Sequence, residues 1–279
     1  MAGTRWRENL REIAAMLNRE LRVSLTRVPN PEKWVFVVGC YNSGTTLLAE
    51  VIGAHPLISA LPTEGQFLTD QFAADHELGL GRMWVKREDL YRLTEADSGP
   101  DVHRLKKEWG MRLNTRKPIL LEKSPPNAAR TRWLQSNFEN AHFIAILRNG
   151  YAVAEGIRRK GRPAHLERWP LEDCAYQWKR SNLVLEEDSK RLTNFMWVRY
   201  EDFTEDTAGT LAGIFDFLGI RTEPGMDLAR EWAIHERSEP IANMNAQSIR
   251  RLTPEDIAVI ERVAGDTLAH FGYAAPSAV

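Results

Sequence analysis

Between Trp34 and Leu48 a β-branched and aromatic run breaks at Gly39 and enters a helical pattern after Gly44, leaving Cys40-Tyr41-Asn42-Ser43 between the two glycines. The pattern predicts a strand, a loop and a helix, in which successive backbone N–H groups and the helix N-terminus face one anion. Ser43, Thr45 and Thr46 add hydroxyl donors. A triphosphate loop of this kind carries a lysine that reaches the β- and γ-phosphates and a hydroxyl on magnesium. Thr45 stands where that lysine would be. A smaller anionic head is therefore a better fit than a metal-bound triphosphate.

Two more residues sit where such a sheet binds its ligands. Lys123 closes the apolar run Ile119–Leu121 after Glu122, and Arg148 follows the run His142–Leu147 and opens the turn Arg148-Asn149-Gly150. In open α/β sheets ligands lie beyond the carboxyl ends of the strands, so the 39–46 loop, Glu122-Lys123, Arg148-Asn149-Gly150 and Tyr200-Glu201-Asp202 should crowd one edge. A loop without its lysine, with a lysine after one strand and an arginine after another, describes a ligand with two separated anionic ends and no obligatory metal. Adenosine 3′,5′-bisphosphate has that shape.

The elements that must position these groups alternate along the chain. Strands are expected at 34–39, 57–61, 119–123, 142–147 and 195–199, and helices at 45–53, 127–138, 151–160, 171–191, 207–218 and 254–271. This order implies a three-layer α/β fold, a P-loop-type parallel sheet flanked by helices on both faces. Residues 1–30 form an amphipathic helix in which Trp6, Leu10, Ile13, Leu17, Leu21 and Leu25 share a face, with Glu8, Glu12 and Glu20 among its arginines. It is expected to pack on the domain or, in a homodimer, on a second subunit. Residues 31–279 make the catalytic domain, and the weakly periodic segment 66–116 reads as a helical insertion on the acceptor side.

Composition narrows the classes. The 37 basic and 38 acidic side chains nearly cancel, so bulk charge calls for neither nucleic acid nor an anionic surface. Cys40 and Cys174, distant in sequence, suggest no disulfide framework and no metal site. No run of about twenty apolar residues predicts a transmembrane segment, and the expected location is the cytoplasm.

Asn-Ser-Gly-Thr-Thr-Leu-Leu at 42–48, Glu-Lys-Ser-Pro at 122–125, Leu-Arg-Asn-Gly-Tyr-Ala-Val-Ala at 147–154 and Val-Arg-Tyr-Glu-Asp-Phe at 198–203 together resemble sulfotransferases that use 3′-phosphoadenosine 5′-phosphosulfate (PAPS). The Ser-Gly-Thr-Thr-Leu loop is closer to the tyrosylprotein and carbohydrate branch. The resemblance implies that Asn42, Ser43, Gly44, Thr45 and Thr46 hold the 5′-phosphosulfate and that Arg148 grips the 3′-phosphate. Gly156 stands where the family has a serine on that phosphate; a backbone amide there or Lys160 is the substitute. Tyr200 becomes an adenine-side contact. Ser248, with Asn243 before it and Arg250 and Arg251 after it, becomes part of the segment that closes over the nucleotide. Glu64, one residue out of the family's register, becomes the base that takes the acceptor proton, and Lys123 the cation at the leaving phosphate. Asn42 departs from the family, which has arginine or lysine there.

The implied function is transfer of a sulfuryl group from PAPS to a hydroxyl or amine, leaving adenosine 3′,5′-bisphosphate. A P-loop kinase, and a degenerate nucleotide-binding or adaptor protein, are the alternatives. The first needs a loop lysine and a magnesium aspartate that the sequence does not show, and the second draws on Asn42 and Gly156. Peptide, carbohydrate, lipid and small-metabolite acceptors remain open, because no motif falls in 66–116 or 161–170.

Overall fold

The computed structural model describes residues 2–223, 228, 230–234 and 237–276. Its strands β1 (Lys33–Gly39), β2 (Ile58–Ala60), β3 (Ile119–Lys123), β4 (Ala141–Leu147) and β5 (Phe195–Arg199) form one sheet in the order β2-β3-β1-β4-β5, every pair parallel. The helices are α1 (Ala2–Leu25), α2 (Thr45–Gly53), α3 (Glu88–Tyr91), α4 (Val102–Gly110), α5 (Thr131–Asn137), α6 (Gly150–Lys160), α7 (Leu171–Ser189), α8 (Tyr200–Glu205), α9 (Thr207–Phe217), α10 (Asn245–Ile249) and α11 (Pro254–His270). A short antiparallel pair, β6 (Trp232–Ile234) and β7 (Arg237–Glu239), stands apart from the sheet.

Strand β1 sits at the centre, with Trp34 beside Leu120 of β3 and Val37 beside Ile144 of β4. Its side chains alternate between two dry faces, as a strand covered on both sides must. Val35 and Val37 pack with Leu48, Val51 and Ile52 of α2 and with Ile214 and Phe215 of α9. Trp34, Phe36 and Val38 pack with Trp109 of α4, Phe138 and Phe143. Phe36 stacks on Phe143 at 5.4 Å, and Trp34 meets Phe138 edge-on at 5.0 Å. Among the described residues no helix is long and apolar enough to cross a membrane.

One expectation changes. The helix expected over 127–138 is a 3-10 turn, Pro125–Ala129, followed by α5. Arg130 lies between them at φ −138°, outside the helical region. The prolines withhold two N–H groups from any longer helix, and the Asn127 side chain is committed to Glu122. Tyr200-Glu201-Asp202, expected at the end of β5, opens α8. Along α1, Ile13, Leu17, Leu21 and Leu25 are exposed in the single chain, whereas Arg19 pairs with Glu108 and Glu20 with Arg104 of α4. The side chains of Trp6, Glu8, Leu10 and Glu12 lie outside the described ones.

The segment 66–116 is anchored by aromatic side chains. Trp84, Tyr91 and Trp109 are fully buried, and the Trp109 indole donates to the Gly65 carbonyl at 3.0 Å. At the end of β3 the Glu122 carboxyl is also fully buried. It accepts from the Gly65 N–H at 2.9 Å, from the Ser124 hydroxyl and from the Asn127 amide. A side chain at Gly65 would stand 2.8 Å from both Glu122 and Trp109, so this turn fits only glycine. Glu122 thereby fixes the backbone next to Glu64.

Burial pushes the Glu122 carboxyl up from 4.5 to about 7, against the lowering effect of its hydrogen bonds from Ser124 and Gly65. The folded chain then keeps a proton that the unfolded chain has released, so stability is fullest below about pH 4.5 and falls as pH rises through about 7. Chemical denaturation at pH 5 and pH 8 should show a loss approaching about 3 kcal/mol. Glu122→Gln should flatten that slope.

Candidate active site

The loop after β1 turns twice through conformations that most residues avoid. Gly44 adopts φ 98°, and a Cβ there would meet the Tyr200 ring at 2.8 Å. Asn42 sits in the left-handed region at φ 60°, which asparagine tolerates better than most residues. The N-terminus of α2 follows, with Leu48 N–H donating to the Gly44 carbonyl. The Ser43 hydroxyl and the Asn42 Nδ2 are buried without a hydrogen-bond partner in the described structure. Buried donors left in this state are normally met by a ligand or water, and an oxyanion in the loop would satisfy both. Thr45 is buried and Thr46 half-buried.

Arg148, 9 % exposed at the end of β4, is the clamp beside this loop. Its Nη1 donates to the Asn42 carbonyl at 2.9 Å and its Nε to the Asn245 side chain at 2.7 Å. The guanidinium lies 4.0 Å from the Tyr200 ring centroid, a cation–π contact. Asn245 is held in turn by Glu201, which also accepts from the Asn149 N–H and from the Tyr273 hydroxyl. Desolvation lowers the Arg148 pKa, with Tyr200 and Glu201 opposing it. The Arg148 Nη2 has no hydrogen bond among the described residues and is the face open to an anion.

Tyr200 has a structural task. Its ring backs Gly44 and supports Arg148, while its hydroxyl donates to the Ala242 carbonyl and accepts from the Met244 N–H. It ties the 242–245 segment to the loop. Ser248 is buried on α10, which packs on α6. Arg250 and Arg251 are exposed, and the Arg251 guanidinium donates to the Gln247 carbonyl. Neither arginine has a hydrogen bond or ion pair to the loop among the described residues.

Gly156 and Asn42 face each other. A Cβ on Gly156 would stand 3.3 Å from the Asn42 side chain, so α6 approaches the loop closely because position 156 lacks a side chain. Lys160 is exposed at the end of α6; desolvation of its ammonium, then the like charge of Arg82, Arg159 and Arg148, lowers its pKa.

Glu64 and Lys123 meet at 3.0 Å, each side chain mostly covered. Gln66 donates to the other Glu64 oxygen at 2.7 Å. Residues distant in sequence thus form one pair because β3 ends next to the turn that Glu122 and Trp109 pin. Beyond it a cavity of about 330 Å³ is lined by Gln66, Phe67, Thr69, His76 and Glu77. A larger cleft, about 670 Å³, opens between α1 and residues 67–77 and includes no residue of the loop.

Sequence reasoning missed three residues of this arrangement: Asn245, Glu201 as its holder, and Arg82. Asn245 follows the recognised Asn243, whose side chain accepts from its N–H. Arg82 carries no local signal, since it lies in an aperiodic stretch between Gly81 and Met83; its Nη1 donates to the Asn42 Oδ1 at 2.8 Å.

Comparison with known proteins agrees with this fold. The fold is similar to the sulfotransferase domain of the Synechococcus PCC 7002 olefin synthase, at 22 % identity over 88 % of this chain and 97 % of that one, with a TM-score of 0.57. It is also similar to the sulfotransferase domain of the curacin biosynthetic pathway, at 19 % identity over 90 % and 100 %, TM-score 0.51. A third likeness is to the sulfotransferase STF9 of Mycobacterium avium, at 12 % identity over 94 % and 82 %, TM-score 0.51. The chain matches no curated protein sequence. Residues 35–224, which run from the core of β1 past the end of α9 and include the loop, Glu64, Lys123, Arg148 and Tyr200, match the family described as the sulfotransferase family, and the chain belongs to that family.

Proposed function

We propose that this protein transfers a sulfuryl group from PAPS to a hydroxyl or amine acceptor, with a donor site of the tyrosylprotein and carbohydrate type. The observation that carries the reading is the pairing of two anion sites across β1 and β4. One is the Ser43–Thr46 loop with its buried, unpartnered hydroxyl; the other is the Arg148 guanidinium clamped beside it. Two anionic groups on one nucleotide fit two such sites better than a single phosphate chain does.

PAPS supplies an activated sulfuryl group: the acceptor oxygen or nitrogen forms a bond to sulfur as the sulfur–oxygen bond to the 5′-phosphate breaks, and the phosphate keeps the electron pair. The loop amides and the Ser43, Thr45 and Thr46 hydroxyls hold the 5′ end, while Arg148 holds the 3′-phosphate with the Gly156 backbone and Lys160 nearby. Tyr273 and Asn245 keep Glu201 and Arg148 in register behind the nucleotide. Ser248 and the 242–251 segment cover it.

Glu64 takes the acceptor proton. Lys123 and Gln66 each hold one of its oxygens, so the carboxylate is aimed before an acceptor arrives. Neutralising Glu64 weakens its pair with Lys123 and frees the ammonium for charge developing on the departing phosphate oxygen. Positioning and electrostatics of this kind supply most of the rate in displacements at phosphorus, which sulfuryl transfer resembles. The cavity lined by Gln66, Phe67, Thr69, His76 and Glu77 lies on the Glu64 side and receives the acceptor.

Titration of the full chain with adenosine 3′,5′-bisphosphate should show binding that Arg148→Gln weakens by about tenfold or more. Undiminished affinity would remove Arg148 from the 3′-phosphate. With labelled PAPS and a panel of phenolic, sugar and amine acceptors, Glu64→Gln should lower turnover by about 10²–10⁴ while donor binding stays near wild type. Wild-type turnover in that variant would mean another group takes the proton.

A further inference from the structure

Position 42, where a cation would sit in related loops, holds a neutral asparagine, and the structure puts a cation against it from elsewhere. The Arg82 Nη1 donates to the Asn42 Oδ1 at 2.8 Å. Described non-glycine residues with positive φ are few, and two of them, Asn42 at 60° and Arg82 at 69°, meet through their side chains. A bulky residue in the left-handed region is uncommon and signals a local constraint.

That constraint is built. The Arg82 N–H donates to the Asp75 carboxylate at 2.9 Å, and the Leu80 N–H to the Asp75 carbonyl at 2.7 Å. Gly81 presses on the Arg162 backbone, and its carbonyl accepts from the Trp169 indole at 2.9 Å. The next two residues, Met83 and Trp84, are fully buried. The segment is therefore fixed on both sides of Arg82, and little rotamer freedom remains to be lost when the guanidinium meets a ligand.

The electrostatics are those of an anion site. Desolvation lowers the Arg82 pKa, Glu64 being the largest opposing influence, yet Glu64 is paired with Lys123 and no carboxylate lies within ion-pair distance of Arg82 among the described residues. Arginine stays protonated even so. A partly desolvated guanidinium without a counter-charge, beside a loop with a buried hydroxyl also lacking a partner, is incomplete until an anion arrives.

We propose that Arg82 is a donor-binding residue that contacts the 5′-phosphosulfate end of the nucleotide, supplying from the acceptor-side insertion the positive charge that Asn42 lacks. This rests on the PAPS reading above. Asn42 acts as the bracket: its Oδ1 aims the guanidinium, its carbonyl aims Arg148, and Gly156 leaves room for the arrangement. One segment then closes the donor site and, through His76 and Glu77, lines the neighbouring cavity.

The test is calorimetric titration of the full chain with PAPS and with adenosine 5′-phosphosulfate, which lacks the 3′-phosphate. Arg82→Gln should weaken both ligands by a similar factor, about tenfold or more, and Arg82→Lys should keep part of the affinity. Adding Asn42→Arg to Arg82→Gln should restore PAPS affinity to within about threefold of wild type, a recovery that a merely structural role for Arg82 would not give. Unchanged affinity in Arg82→Gln overturns the proposal. So does a loss confined to PAPS, which would put the guanidinium on the 3′-phosphate. Should Arg82→Gln not fold, Arg82→Lys with Asn42→Arg carries the same comparison, and affinity no better than in Arg82→Lys alone counts against the proposal. A wild-type chain that binds neither ligand overturns the PAPS reading itself, whereas a wild type that binds both with Arg82→Gln unaffected overturns only the role of Arg82.

Discussion

The Asn42 backbone carbonyl accepts from Arg148 while its side chain accepts from Arg82, and the remainder of the site is arranged around that double contact. Two guanidinium groups cannot be brought to one residue without strong repulsion unless each has a compensating neighbour. Arg148 has the face of Tyr200 and the Asn245–Glu201 relay. Arg82 has no carboxylate at ion-pair distance among the described residues: Asp75 bonds its backbone N–H, and Glu64 is paired with Lys123. What compensation remains missing faces the loop, where an anionic ligand would supply it.

The same constraint accounts for several residues that look unrelated. Gly156 is needed because Asn42 occupies the space beside α6. Gly44 is needed because Tyr200 must come close enough to reach both Arg148 and the 242–244 backbone. Glu122, buried at some electrostatic cost, fixes the turn at Gly65 and so the place where Glu64 meets Lys123. A buried carboxyl with three hydrogen bonds has few alternative arrangements, which suits a group whose task is positioning.

The two halves of the site differ in how they are made. The half made by the 39–46 loop and Arg148 stands on strand ends and helix starts, elements whose geometry follows from the parallel sheet. The half around Glu64 hangs on a segment of short turns and helices held by isolated aromatic anchors such as Trp84 and Trp109. Such construction lets the second half change with little effect on the first.

Much of this was legible in the residues themselves. Alternation of strands and helices determined the parallel three-layer sheet, because hydrophobic period and crossover handedness leave few other solutions. The glycine-bounded loop, Lys123 and Arg148 could be placed at one edge, because strand ends are read directly from sequence. Local rules failed where a long-range partner overrode them, at the split beside Arg130, and the periodicity of α1 announced an apolar face but not what would cover it. Asn42 and Gly156, read singly, were departures from a family pattern. Only the tertiary structure showed them in contact and set Arg82 beside them, because a hydrogen bond across 40 residues depends on how the 75–84 segment folds back, and no spacing or propensity in the chain encodes that return.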